Sequence, residues 1–117
     1  MTAPDRADRL RALYQAFNAR DVDAVLAAMA PDVDWPNGWE GGRLSGHEEV
    51  RDYWERQWAE IRAMVRPTGI EERPDGSVAV AVALTVRDPG GTVLSREAVR
   101  HVYRFSGGLV QRMDVER

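Results

Sequence analysis

The chain has 117 residues, 44% hydrophobic and 30% charged, which is the composition of one globular domain over residues 1–117 and not of a disordered chain. A net charge of −3 with scattered arginines argues against nucleic acid as a partner, and no apolar run approaches the ~20 residues of a membrane helix. With no cysteine and two histidines, neither disulfides, thiolate catalysis nor a metal site is expected, and the apolar-poor, acid-bearing start Met1–Leu10 points to a cytoplasmic protein.

Leu10, Leu13, Tyr14 and Phe17 recur at helical spacing and predict a first helix over Asp5–Ala19, with Asp5 and Asp8 at its positive end. Asp21 reads as the N-cap of a short second helix carrying Val22, Val25, Leu26 and Met29 on one face, which Pro31 ends. Val33-Asp34-Trp35 is a brief extended segment closed by Pro36-Asn37-Gly38. Ser45-Gly46-His47-Glu48 fits a capping box opening a third helix, whose apolar stripe is Val50, Tyr53, Trp54, Trp58 and Ile61. After Pro67 the period becomes two. Ser77–Arg87, Arg96–Ser106 and Leu109–Arg117 are strands, separated by Asp88-Pro89-Gly90-Gly91 and Gly107-Gly108 at hairpin spacing. Helices followed by strands predict an α+β domain with helices on one face of an antiparallel sheet.

Four segments carry a family resemblance by their order and spacing. They are Leu13-Tyr14-Gln15-Ala16-Phe17-Asn18-Ala19-Arg20-Asp21, Ala30-Pro31-Asp32-Val33-Asp34-Trp35, Gly46-His47-Glu48-Glu49-Val50-Arg51-Asp52-Tyr53-Trp54 and the run His101–Val110. Together they resemble the nuclear-transport-factor-2-like superfamily, and more narrowly its SnoaL-like branch. The resemblance implies a cone-shaped curved antiparallel sheet packed against the three helices, an apolar pocket open at one end, and a homodimer formed through the outer face of the sheet. It spans isomerases, polyketide cyclases, dehydratases and non-catalytic modules, so activity has to come from the site.

Phe17, Trp35, Trp39, Tyr53, Trp54, Trp58 and Tyr103 fall on inward stripes or in the loop rimming the cone. They are candidate walls for a small apolar or aromatic molecule, with Trp39 on a glycine-flanked, mobile rim. On the Arg96–Ser106 strand, Val99, His101, Tyr103 and Phe105 share one face, read as concave. Val110, Arg112, Asp114 and Glu116 share a face of the last strand, so an inward Val110 puts Asp114 near the pocket mouth, within reach of His101 or Arg112. Similar positions in SnoaL-like cyclases serve acid–base roles, which the resemblance assigns to His101 and Asp114. The isomerases resemble the chain at Tyr14, and their acidic base position falls near Asp34; their further buried acid has no counterpart. Burial lowers the His101 pKa and an adjacent Asp114 raises it, so the sequence leaves the sign open.

The leading expectation is a small-molecule-binding protein acting without cofactor as an isomerase, cyclase or dehydratase. The alternative is a non-catalytic carrier, sensor or scaffold module. His47-Glu48-Glu49 lacks the second helical histidine of a zinc site and reads as helix capping.

Overall fold

The two N-terminal helices begin where the sequence puts its aspartates. In the computed structural model, which describes residues 5–116, α1 spans Arg6–Asn18 and α2 spans Val22–Ala27. Asp5 accepts from the Asp8 N–H and Asp21 from the Ala24 N–H, so each carboxylate satisfies one of the free donors of a first turn. Met1–Pro4 and Arg117, the expected end of the last strand, lie outside the described residues.

Met29 does not close α2. It opens β1, Met29–Pro36, and Pro31 lies exposed where the strand register shifts, so its missing N–H removes no regular ladder bond. After β2, Arg43–Ser45, helix α3 runs Gly46–Glu60. Its capping box does not form. Ser45 is the N-cap but makes no side-chain cap bond, and Glu49, not Glu48, accepts from the Ser45 N–H at 3.0 Å. The His47 ring instead meets the Met29 carbonyl at 3.0 Å and ties α3 to β1.

The remaining strands are β3, Arg62–Glu72; β4, Val78–Arg87; β5, Val93–Ser106; and β6, Leu109–Glu116. The six strands form one curved, open sheet in the order β2-β1-β6-β5-β4-β3. The expected α+β cone is therefore present, with one difference: β1 pairs with β6 in parallel, so the sheet is mixed. β2 and β3 are additions to the expected meander. β3 is an edge strand, and Asn18 covers part of its open side by donating to the Val65 carbonyl at 2.7 Å and accepting from the Val65 N–H at 2.9 Å. The core lies between helices and sheet, built on Leu10, Leu13, Val25, Val33, Val50, Trp54, Val78, Val80 and Tyr103. Among the described residues no helix is long and apolar enough to cross a membrane.

A bulge near the start of β6 positions the site. Arg104 pairs with Arg112 but Phe105 pairs with Val110, so Gln111 is an extra residue. Val110 points into the core before it, and Met113 and Val115 point inward after it.

Candidate functional site

An open-ended cavity of about 380 Å³ lies between the helices and the concave face, within the span of roughly 300–1,000 Å³ common for small-molecule pockets. Helix α1 contributes Leu13, Tyr14 and Phe17; β1 contributes Trp35; α3 contributes Tyr53, Trp54 and Gln57. The sheet closes the other side with Leu84, Val86, Val99, His101, Tyr103, Met113 and Val115. The rings form one packed set: Trp54 meets Phe17 edge-on at 5.5 Å and Trp35 edge-on at 5.7 Å.

Three polar side chains stand in line on this wall. The Tyr103 hydroxyl donates to the Tyr14 oxygen at 2.7 Å, and the Tyr14 hydroxyl lies 2.9 Å from His101 Nδ1. Tyr103 is fully buried, so its proton needs the Tyr14 oxygen, which sends the Tyr14 proton to Nδ1. Nδ1 is then an acceptor, and donor counting puts the proton of the neutral ring on Nε2. That nitrogen has no protein partner among the described residues and is open to the cavity. Burial lowers the His101 pKa to about 4, and burial with the adjacent Tyr103 pushes Tyr14 far above the ordinary phenol range. At neutral pH the triad thus presents an N–H donor, with no charge and no base.

His101 and Tyr14 are brought together as the sequence suggested, while Asp114 is not with them. The Gln111 bulge turns Asp114 to the outer face, opposite Val102, where Arg112 holds it at 2.9 Å and Arg43 at 3.2 Å. These hydrogen bonds, Arg112 first, hold its carboxyl below the usual range. Asp34 also faces outward, between inward Val33 and Trp35, with Arg112 at 2.6 Å and Arg43 on its other oxygen. The two expected pocket acids are therefore half of an outer-face ion network that fastens β2, β1 and β6. Arg43, its fourth member, carries no periodic signal in the sequence.

Phe17, Trp35, Trp39, Trp54 and Tyr103 line the cavity, but Trp58 stands behind it, stacked on Trp54 at 5.9 Å. Trp39 is exposed at the rim, yet its loop is tethered. Asn37 Oδ1 accepts from the Glu40 N–H at 2.7 Å, and Glu40 pairs with Arg56 of α3 at 2.8 Å. Gly41 and Gly42 there adopt positive φ, 91° and 83°, so they serve a tight turn and not a loose segment. Gln57 and Glu97 also line the cavity and were not singled out in the sequence. Both were within reach of periodicity: Gln57 is a polar member of the α3 stripe, and Glu97 lies on the face of Val99 and His101. Among the described residues no three His, Asp or Glu side chains gather as a metal would require.

A sequence model of the SnoaL-like domain matches residues 10–113. Among solved structures, the chain is similar to an NTF2-like protein of unknown function from Burkholderia pseudomallei, at 26% identity and a TM-score of 0.83, covering 97% of this chain and 91% of that one. It is similar to TerC, co-crystallised with polyporic acid, at 25% identity and TM-score 0.80, covering 93% and 88%. A Mycobacterium tuberculosis protein in complex with estradiol-17β-hemisuccinate shares the fold at 22% identity and TM-score 0.78, covering 92% and 88%. No curated protein sequence matches.

Proposed function

From the premise that this chain belongs to the SnoaL-like domain family, we propose that it binds a small, largely apolar or aromatic molecule in the cavity, with an acceptor such as a carbonyl oxygen on His101 Nε2. The observation that carries this is the Tyr103–Tyr14–His101 chain, which turns an N–H donor toward an otherwise apolar wall. TerC with polyporic acid and the mycobacterial protein with the estradiol ester support a flat, ring-bearing ligand. Asp34 and Asp114 face away and neither converges with the donor, which favours a carrier or sensor over proton abstraction by either of them. One observation favours turnover as the second reading. A neutral imidazole N–H also polarises a carbonyl, as an isomerase, cyclase or dehydratase requires.

Acetylnaphthalene, a flat aromatic ketone, tests both. Saturable quenching of tryptophan emission is expected, since Trp35, Trp39 and Trp54 line the cavity. His101→Gln should weaken the ketone by about two- to tenfold, the worth of one hydrogen bond, and leave unsubstituted naphthalene unaffected. In an enzyme the same change should lower turnover roughly 10²–10³-fold. An absence of saturable binding to the native protein would overturn the reading.

A homodimer belongs to the same proposal. Ala79, Ala81, Ala83 and Thr85 of β4 form an outward row beside Val102, with Arg100 and Arg104 next to it, on the face that the helices leave bare. Sedimentation at protein concentrations on the order of tens of micromolar should give a dimer; a monomer there counts against it.

A further inference from the structure

The three polar groups on the cavity wall meet at two contacts, Tyr103 with Tyr14 and Tyr14 with His101 Nδ1, and each contact holds one proton. With the ring proton on Nε2, the two hydroxyl protons fill both contacts and none is left over. With the ring proton on Nδ1, three protons compete for the two contacts and one is stranded, whichever oxygen donates to which. Nothing nearby receives it. Tyr103 is 0% and Tyr14 3% exposed, and among the described residues neither hydroxyl has another hydrogen-bond partner. A buried hydroxyl without an acceptor shifts an equilibrium by about tenfold or more.

This count reaches the ligand. A group that accepts, such as a ring ketone, meets the Nε2–H as it stands. A group that only donates, such as the N–H of an indole or carbazole, needs Nε2 as an acceptor. The neutral ring offers that only with its proton on Nδ1, at the cost of a stranded hydroxyl. Protonation gives no way round, since an imidazolium donates at both nitrogens. If the ring stays as it is, the ligand's N–H faces another N–H and goes unpaired.

We propose that the tyrosine pair Tyr14 and Tyr103 locks the polarity of His101, so that the cavity selects a flat ligand ended by an acceptor, a ring ketone, over one of the same outline ended by an N–H. This rests on the ligand-binding reading above. It adds a rejection to the preference stated there and assigns it to two positioning residues, which act through the imidazole.

The lock is tested first without ligand. Ring-nitrogen NMR shifts of the native protein at neutral pH should show the His101 proton on Nε2 and none on Nδ1. A proton on Nδ1, or an even mixture, overturns the inference whatever the ligands do. The ligand test uses fluorenone, carbazole and fluorene, which place a carbonyl, an N–H and a methylene at the same position of one tricyclic outline. Calorimetry, with protein titrated into dilute compound, gives the affinities, and fluorene corrects each protein for the shape of its cavity. The native protein should bind fluorenone about tenfold or more tighter than carbazole, and carbazole no tighter than fluorene. The double variant Tyr14→Phe/Tyr103→Phe removes both contacts and leaves no hydroxyl unpaired, so either ring nitrogen can carry the proton. Its fluorenone-to-carbazole ratio should fall to within about threefold. Equal binding of fluorenone and carbazole to the native protein, or a ratio that the double variant leaves intact, overturns the lock while the cavity reading stands. If none of the three binds the native protein, both fall.

Discussion

Replacing Trp54 with alanine is expected to lower the unfolding free energy by roughly 3–5 kcal/mol, the cost of emptying a large buried aromatic site. Trp54 is 2% exposed and holds three rings at once: Phe17 and Trp35 edge-on, Trp58 stacked. Each such pair adds to simple area burial. The hole left behind opens into the ligand cavity, so little can collapse to fill it. Trp39→Ala is the matched control. Its ring is 40% exposed at the rim, and the hydrogen bonds that hold its loop come from Asn37, Glu40 and Arg56. That change should cost about 1 kcal/mol or less. Urea unfolding of both variants checks the pair, and equal losses would mean that the rim has been misread.

The second large effect is a dependence of stability on pH. In the unfolded chain His101 titrates near the ordinary value of about 6.5. Folding lowers it to about 4 by burying the ring. Between these values the unfolded state binds more protons, so stability falls as the solution is acidified. The full stability is present above pH ~6.5 and is lost on the way down to about 4, for a total on the order of 3 kcal/mol. His101→Gln should flatten this part of the profile. The carboxylates of Asp114 and Glu116, held low by hydrogen bonds from Arg112 and Arg73, contribute their own losses at more acid pH. A proton NMR titration with the His101 ring near 6.5 would overturn the account. The sequence offered two opposed influences on this histidine; the structure removes one of them by turning Asp114 to the other face.

Periodicity carried most of what was legible in the sequence. A helix repeats near 3.6 and a strand at 2, so the α1 and α3 stripes and the Val99-His101-Tyr103 face followed without any tertiary information. The aspartate caps were equally local. β3 was missed for a local reason: Ala63 and Val65 mark its inner face before a bulge at Pro67 and Gly69, and Ile70 marks it after, so neither side holds a readable run of alternation. Its pairing with β4 and the Asn18 bridge come from elsewhere in the chain. β2 has too few residues to show a period. The parallel pairing of β1 and β6 joins segments about 80 residues apart and leaves no local mark. Asp34 and Asp114 show where strand periodicity stops being informative. Strand alternation says that Asp114 lies on the same side as Arg112, and this is correct. It does not say which side, once a bulge has intervened.

That bulge makes the interior of this protein sensitive to the reading frame of pairing and not only to residue identity. With Gln111 present, β6 offers the cavity a thioether and an isopropyl group. Were Gln111 paired as an ordinary strand residue, alternation from Val110 would aim Arg112 and Asp114 at the concave face and turn Met113 and Val115 out of it. For a lineage built on this scaffold, gain or loss of that one bulge, with the strand's residues unchanged, is therefore a step between a hydrophobic receptacle and an ionisable one. Such a step changes several wall residues together, where point substitution would have to pass through partly charged, unpaired intermediates.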